Sequence, residues 1–203
     1  MHIEFFVEEP SAEAALQNIV PKIAGSAVSF NIHPFQGKPD LLKSLPARLR
    51  GYRYWLPEDW RIVVLIDADQ DDCRQLKEQL EQVALRSGLT TKSSPGIEGE
   101  FQVLNRLAVE ELEAWFFGDV DALRAVFPRL NPHLDRQSKY RNPDAISGGT
   151  WEVLERLLNR HGYYRGGMPK IEVAREVSKH MILDRNRSHS FRVFRQGLLA
   201  LIE

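Results

Sequence analysis

The sequence predicts an α/β fold: a mostly parallel sheet flanked by helices, with a helical C-terminal extension. Three observations predict it. First, Arg61–Asp72 joins an apolar, β-branched run (Ile62–Ile66) to four carboxylates, Asp67, Asp69, Asp71 and Asp72. An apolar run with no polar alternation suits a central strand covered on both faces. Second, short apolar runs alternate with amphipathic segments up to residue 119, as in strand–helix–strand units. Third, strand signals fade beyond residue 120 and helical periodicity takes over. At 203 residues the chain suits one main domain with an appendage. The expected division is an α/β core over 1–119 and a helical extension over 120–203 packed on it.

Taken in order, Ile3–Val7 predicts a first strand running into Glu8 and Glu9. Ser11 is the expected N-cap of the next helix, whose stripe is Ala14, Ala15, Leu16, Ile19, Val20 and Ile23, closed near Gly25. Val28–His33 predicts a second strand, followed by a loop of turn formers holding Gly37 and Lys38. Leu41, Leu42, Leu45 and Leu49 recur at helical spacing, and Arg48, Arg50 and Arg53 read as a solvated face. Tyr52, Tyr54, Trp55 and Trp60 cluster around Pro57. After the central strand, Asp71 and Asp72 read as helix-capping acids. Cys73, Leu76, Leu80, Val83 and Ala84 form an amphipathic stripe ended by Gly88, with Cys73 expected in the core. Phe101–Ala108 predicts a fourth strand, ending in Glu110, Glu111 and Glu113. Glu110 and Glu113 are three apart and are expected on one helix face; Trp115, Phe116 and Phe117 are expected in the core. Val120–Val126, Thr150–Leu158, Ile171–Ile182 and Phe191–Ile202 complete the helices.

Composition narrows the function classes. Hydrophobic residues make up 43% and charged residues 27%, an ordinary balance for a folded protein. No apolar run reaches the roughly 18–20 residues of a spanning helix, and the N-terminus is acidic where a signal peptide is basic. The expected location is the cytoplasm, with no membrane partner. One cysteine excludes an internal disulfide and a multi-cysteine zinc site. Net charge is −1, but residues 1–119 carry 19 acids against 12 Lys/Arg and residues 120–203 carry 9 against 15. That asymmetry suggests a metal-binding part beside a phosphate-holding part.

Three strand ends would deliver Glu8, Asp67 with Asp69, and Glu110 with Glu113. If the strands are neighbours, these acids form one patch at the carboxyl edge of the sheet, where ligands of open α/β sheets bind. Like charges there call for a hard divalent cation, Mg²⁺ or Mn²⁺. Two such ions suit in-line phosphoryl transfer. Lys38, and Arg185, Arg187 and Ser188 near a predicted helix start, are candidate phosphate contacts. No zinc-protease, nucleophile-elbow or dinucleotide-loop motif is present, and the six histidines are scattered.

The order of Glu8, with Glu13 downstream, and then Asp67-Ala68-Asp69 resembles the Toprim domain of topoisomerases, primases and the overcoming-lysogenisation-defect nucleases. Glu9 stands where that pattern has glycine. Nearly the whole chain is similar to domain-of-unknown-function family 4276, which is Toprim-like. The residues carrying this are the Val7-Glu8 motif, Gly37-Lys38-Pro39-Asp40-Leu41-Leu42, Asp67-Ala68-Asp69, Glu111-Leu112-Glu113-Ala114-Trp115, Asn142-Pro143, Arg185-Asn186-Arg187-Ser188 and Ser190-Phe191. The resemblance implies a Toprim-like core and a metal-dependent nuclease, acting in phage-defence or mobile-element settings beside an ATPase partner. On this reading Glu8, Asp67, Asp69 and Glu113 are catalytic and hold Mg²⁺ or Mn²⁺, with Glu110 as a further ligand. Lys38, Arg185, Arg187 and Ser188 hold nucleic acid. The rival expectation is a non-catalytic Toprim-like module that binds an ATPase or nucleic acid; a receiver-like domain phosphorylated at Asp67 is a third.

Overall fold

The computed structural model describes residues 1–202 and holds a four-stranded, all-parallel sheet with eight α-helices among those residues. The strands are β1 (His2–Val7), β2 (Ser29–Pro34), β3 (Trp60–Asp67) and β4 (Val103–Ala108), in the order β2-β1-β3-β4. The helices among them are α1 (Pro10–Ala24), α2 (Lys38–Arg53) and α3 (Cys73–Arg86). The remainder are α4 (Glu113–Phe117), α5 (Val120–Val126), α6 (Thr150–Arg160), α7 (Lys170–His180) and α8 (His189–Ile202). This is the predicted α/β class, and the arrangement is consistent with a Toprim-like sheet.

Side-chain alternation along the strands sorts the core into two layers. Ile3, Phe5, Val7, Val63 and Leu65 face α1 and the C-terminal helices, sharing one cluster with Trp115, Phe116, Phe117, Leu154, Phe191 and Phe194. Phe6, Ile62, Val64 and Ile66 face α2 and α3, where Leu41, Leu45, Leu76 and Leu80 pack on them. The central strand is fully buried from Ile62 to Ile66, as its unbroken apolar run requires. The larger layer runs continuously across residue 120, so the C-terminal helices cover the α1 face of the sheet.

Where α8 crosses β4, the Arg106 side chain lies against the α8 backbone. A Cβ on Gly197 would lie 2.4 Å from the Arg106 guanidinium, and Arg106 Nε donates to Val193 O.

Several local expectations shift. Ser11 does not cap α1: Pro10 takes the first helical position, the cap falls on Glu9, and Ser11 Oγ donates to Glu9 Oε1 at 2.6 Å. Glu9 is extended at φ −150°, so the turn after β1 needs no glycine. Cys73 is the first residue of α3 and stays partly exposed, because the apolar stripe begins one turn later at Leu76. Asp72 does cap α3, accepting from Arg74 N and Gln75 N, whereas Asp71 pairs with Lys38. Glu110 lies outside α4 with φ 61°, so it and Glu113 do not share a helix face. In the aromatic cluster Trp55 bridges Tyr52 and Trp60, and Tyr54 stands outside it, 86% exposed.

Candidate active site

Strand order reverses between β1 and β3: the chain leaves β1 toward β2 and returns past β1 to β3 and β4. That switch point is where open α/β sheets hold ligands. The register sets Val7 beside Leu65 and Asp67 beside Ala108, so the residues just past β1, β3 and β4 share one edge. Glu8 is fixed there by the Asp67 N–H, which donates to Glu8 Oε2 at 3.2 Å. The turns past β3 and β4 are joined backbone to backbone. Ala68 N donates to Ala108 O at 2.8 Å and Asp69 N to Glu110 O at 2.6 Å. Asp69 and Glu110 both take left-handed backbone, φ 51° and 61°, which costs a non-glycine residue about 1–3 kcal/mol and gathers at functional sites.

The electrostatics are unfavourable to the charged forms. Asp67 is pushed well above the usual carboxylate range by burial first, then by Glu113, Glu8, Glu9 and Asp69. Glu113, with 1% of its surface exposed, is raised to about 7 by burial, with Glu111 and Glu9 adding and Lys170 opposing. Its Oε2 has no hydrogen-bond partner. Burial also raises Glu8, supported by Asp69 and Glu9 and opposed by the Asp67 amide and Lys38. Glu110 rises for the same first reason, then through Glu111 and Asp69. A buried carboxylate with a free oxygen is costly.

Two lysines offset part of this charge. Lys38 Nζ lies 2.7 Å from Asp69 and 2.8 Å from Asp71 and donates to Ala68 O at 3.2 Å. Burial works against its charge, but Asp69 and Asp71 outweigh it and hold Lys38 above its ordinary value. Lys170, at the start of α7, is 3.1 Å from Glu9 Oε1 and lies over the Trp151 ring. There too burial is outweighed, by Glu113 and Glu9. Glu111 is held by α6: its Oε2 accepts from Thr150 Oγ1 and Trp151 N. Among the described residues no three Asp, Glu, His or Cys side chains already converge at ligand distance.

The structure thus gathers Glu8, Asp67, Asp69, Glu110, Glu113 and Lys38. It does not bring Arg185, Arg187 and Ser188 to them. Arg185 is spent on Asp119 and Asp121 at 3.0 and 3.1 Å. Arg187 donates to Arg141 O and Phe117 O, and Ser188 Oγ to Asp144 Oδ1 at 2.8 Å. Asp144 also accepts from Ser190 Oγ at 2.7 Å and from the His189 and Ser190 amides. The start of α8, expected to seat a phosphate, is therefore filled by a carboxylate of the chain itself. Asn186 adds the Ser188 amide and Trp115 O, and Trp115 Nε1 donates to Ser190 Oγ.

Sequence reasoning missed Lys170 and the role of Glu9. Lys170 follows Pro169 with no local motif, and the only available signal was a cation at a helix start facing an acidic half-chain.

A family model described as "Domain of unknown function (DUF4276)" matches residues 7–199, and the chain belongs to that family. No curated protein and no solved structure matches it. No helix among the described residues is long and apolar enough to cross a membrane.

Proposed function

We propose that this DUF4276 protein is a Toprim-like nuclease that hydrolyses phosphodiester bonds with Mg²⁺ or Mn²⁺ held by Glu8, Asp67, Asp69 and Glu113, with Glu110 at the margin. The observation that carries the reading is Glu113: a buried carboxylate with an unpartnered oxygen, whose charge acts on Asp67 at the carboxyl edge of the sheet. The donor set fits a hard cation, being all oxygen and short of positive charge. When bound, divalent ions activate water and stabilise a leaving oxygen. The chain supplies the rest. Glu113 would offer its unpartnered Oε2 as one of the ligand oxygens. Lys38, now paired with Asp69, would contact a substrate phosphate, and Lys170 balances Glu9 and Glu113. The phage-defence or mobile-element setting and a partner ATPase follow from the family resemblance, and the cytoplasmic location is the expectation read from the sequence.

One observation favours a second reading, a non-catalytic module that docks on an ATPase or nucleic acid. Lys38 and Lys170 already neutralise Asp69, Asp71 and Glu9, as a scaffold would need. The deciding experiment is Mg²⁺- or Mn²⁺-dependent cleavage of single- and double-stranded DNA and RNA, with Asp67→Asn as control and divalent binding by calorimetry. Cleavage lost in Asp67→Asn is the expected result. Neither cleavage nor divalent binding in the wild type would replace the nuclease with the scaffold.

A further inference from the structure

A groove runs along α1 and α7 from their first turns, beside Glu9 and Lys170 in sequence. Pro10, which follows Glu9, and Ile171, which follows Lys170, form its head, and Ala14, Asn18, Arg175 and Lys179 continue it. The cleft has a volume of about 450 Å³, and Glu13 and Gln17 also line it. Both helices start at the site edge and run side by side. Asn18 Nδ2 donates to Arg175 O at 3.1 Å, and Lys22 Nζ to Ser178 O and Lys179 O at 3.0 and 2.7 Å. Ile171, Arg175 and Lys179 recur every four residues, so they form one exposed stripe about 12 Å long.

We infer that this groove holds the phosphodiester backbone of a single-stranded polynucleotide. Its binding role stands by itself; that it feeds the strand to the carboxylates rests on the nuclease reading above. Three features carry the inference. The groove is amphipathic in the way a nucleic-acid strand requires, with apolar lining from Pro10, Ala14 and Ile171 and cations from Arg175 and Lys179. Its cations are available: Arg185 is committed to acids and Arg187 to carbonyls, whereas Lys179 pairs with Glu176 in an exposed bridge, a weak contact that a phosphate can replace. Its cations suit one strand, because Arg175 and Lys179, four residues apart, lie about 6 Å apart along α7 on a single line that can follow successive phosphates. Glu13 is the acid lining the groove, and it opposes phosphate near the head.

The test is binding of short labelled DNA and RNA oligonucleotides to the full chain, by fluorescence anisotropy in EDTA over a range of salt. Arg175→Ala/Lys179→Ala is expected to lower affinity for single strands at least tenfold. It should also flatten the log–log salt slope by about 1.4, since each phosphate contact contributes about 0.7 for single strands. Glu13→Gln should raise affinity. Arg160→Ala/Arg165→Ala, an equal loss of charge outside the groove, should leave affinity within twofold. The inference is overturned if the wild type binds no oligonucleotide, if the two double variants lose affinity equally, if the groove variant keeps the wild-type slope, or if duplex binds as tightly as single strand. Because no divalent ion is present, the result separates from the nuclease reading. A protein that never cleaves yet loses binding in the groove variant keeps the groove and drops the chemistry. One that cleaves while the groove variant binds normally does the reverse.

Discussion

Two polar regions of this protein look alike in sequence and differ in kind once folded. The loop into α8, Asp184–Ser190, and the strand-end acids, Glu8 to Glu113, both concentrate charge and hydroxyls beside helix starts. In the first, each charged or polar group named above is closed by a partner of the chain: Asp119 and Asp121 on Arg185, Asp144 on Ser188, Ser190 and the helix amides, Asn186 on Trp115 O. In the second, Glu113 Oε2 has no partner and Asp67 is crowded by four acids. The difference teaches where to look for chemistry. A satisfied network specifies architecture, whereas a buried charge left uncompensated is retained at a cost and marks a place where something else binds.

The comparison breaks most sharply at Glu113. Glu113→Gln should lower divalent-dependent cleavage by about 10²-fold, since losing even a partner of a metal ligand costs about 10–100-fold, with the fold intact by circular dichroism; unchanged turnover would place Glu113 outside the chemistry. The next largest effect is on stability against pH. The folded value of Glu113 is raised from 4.5 to about 7, so the folded state binds the proton more tightly than the unfolded state. The associated stability is therefore present below pH 4.5 and is lost as pH rises through 7, by about 3 kcal/mol. Denaturation of wild type and Glu113→Gln at pH 5 and pH 8 should show that difference, and Mg²⁺ should reduce it by binding the ionised cluster. In the closed region, Asp144→Ala removes an N-terminal cap with several hydrogen bonds and should cost about 2 kcal/mol while leaving the cleavage rate per folded molecule unchanged. Smallest is Arg185→Ala, worth roughly 1 kcal/mol because the guanidinium is partly solvated and the buried Asp119 keeps the Ala122 and Ile182 amides. A rise in KM without loss of stability in that variant would return the α8 loop to the role of phosphate seat.

What was legible in the sequence was whatever rests on short-range periodicity. Ile62–Ile66 announced a doubly covered strand, and the acids behind three apolar runs announced one shared edge, because parallel strands all end on the same side. Helix α5 spans Val120–Val126 as the pattern predicts. What was not legible depends on geometry across the chain. Ser11 looked like a cap until Pro10 took the first helical position, and Arg185, Arg187 and Ser188 looked like anion ligands because Asp119 and Asp144 are far from them in sequence. Lys170 lies 161 residues from Glu9, and no local pattern links them.

Lys170 has a further consequence for how this site can be inherited or moved. The acids belong to the strand-bearing half of the chain, but a cation balancing Glu9 and Glu113 enters from the helical half, on a helix that also packs along α1. Neither half is a portable cassette. Grafting the strand ends onto another sheet would transplant a charge imbalance without its counterweight, and a fragment ending at residue 119 would also bare Trp115, Phe116 and Phe117. Recombination that preserves this site must exchange α1 and α7 together.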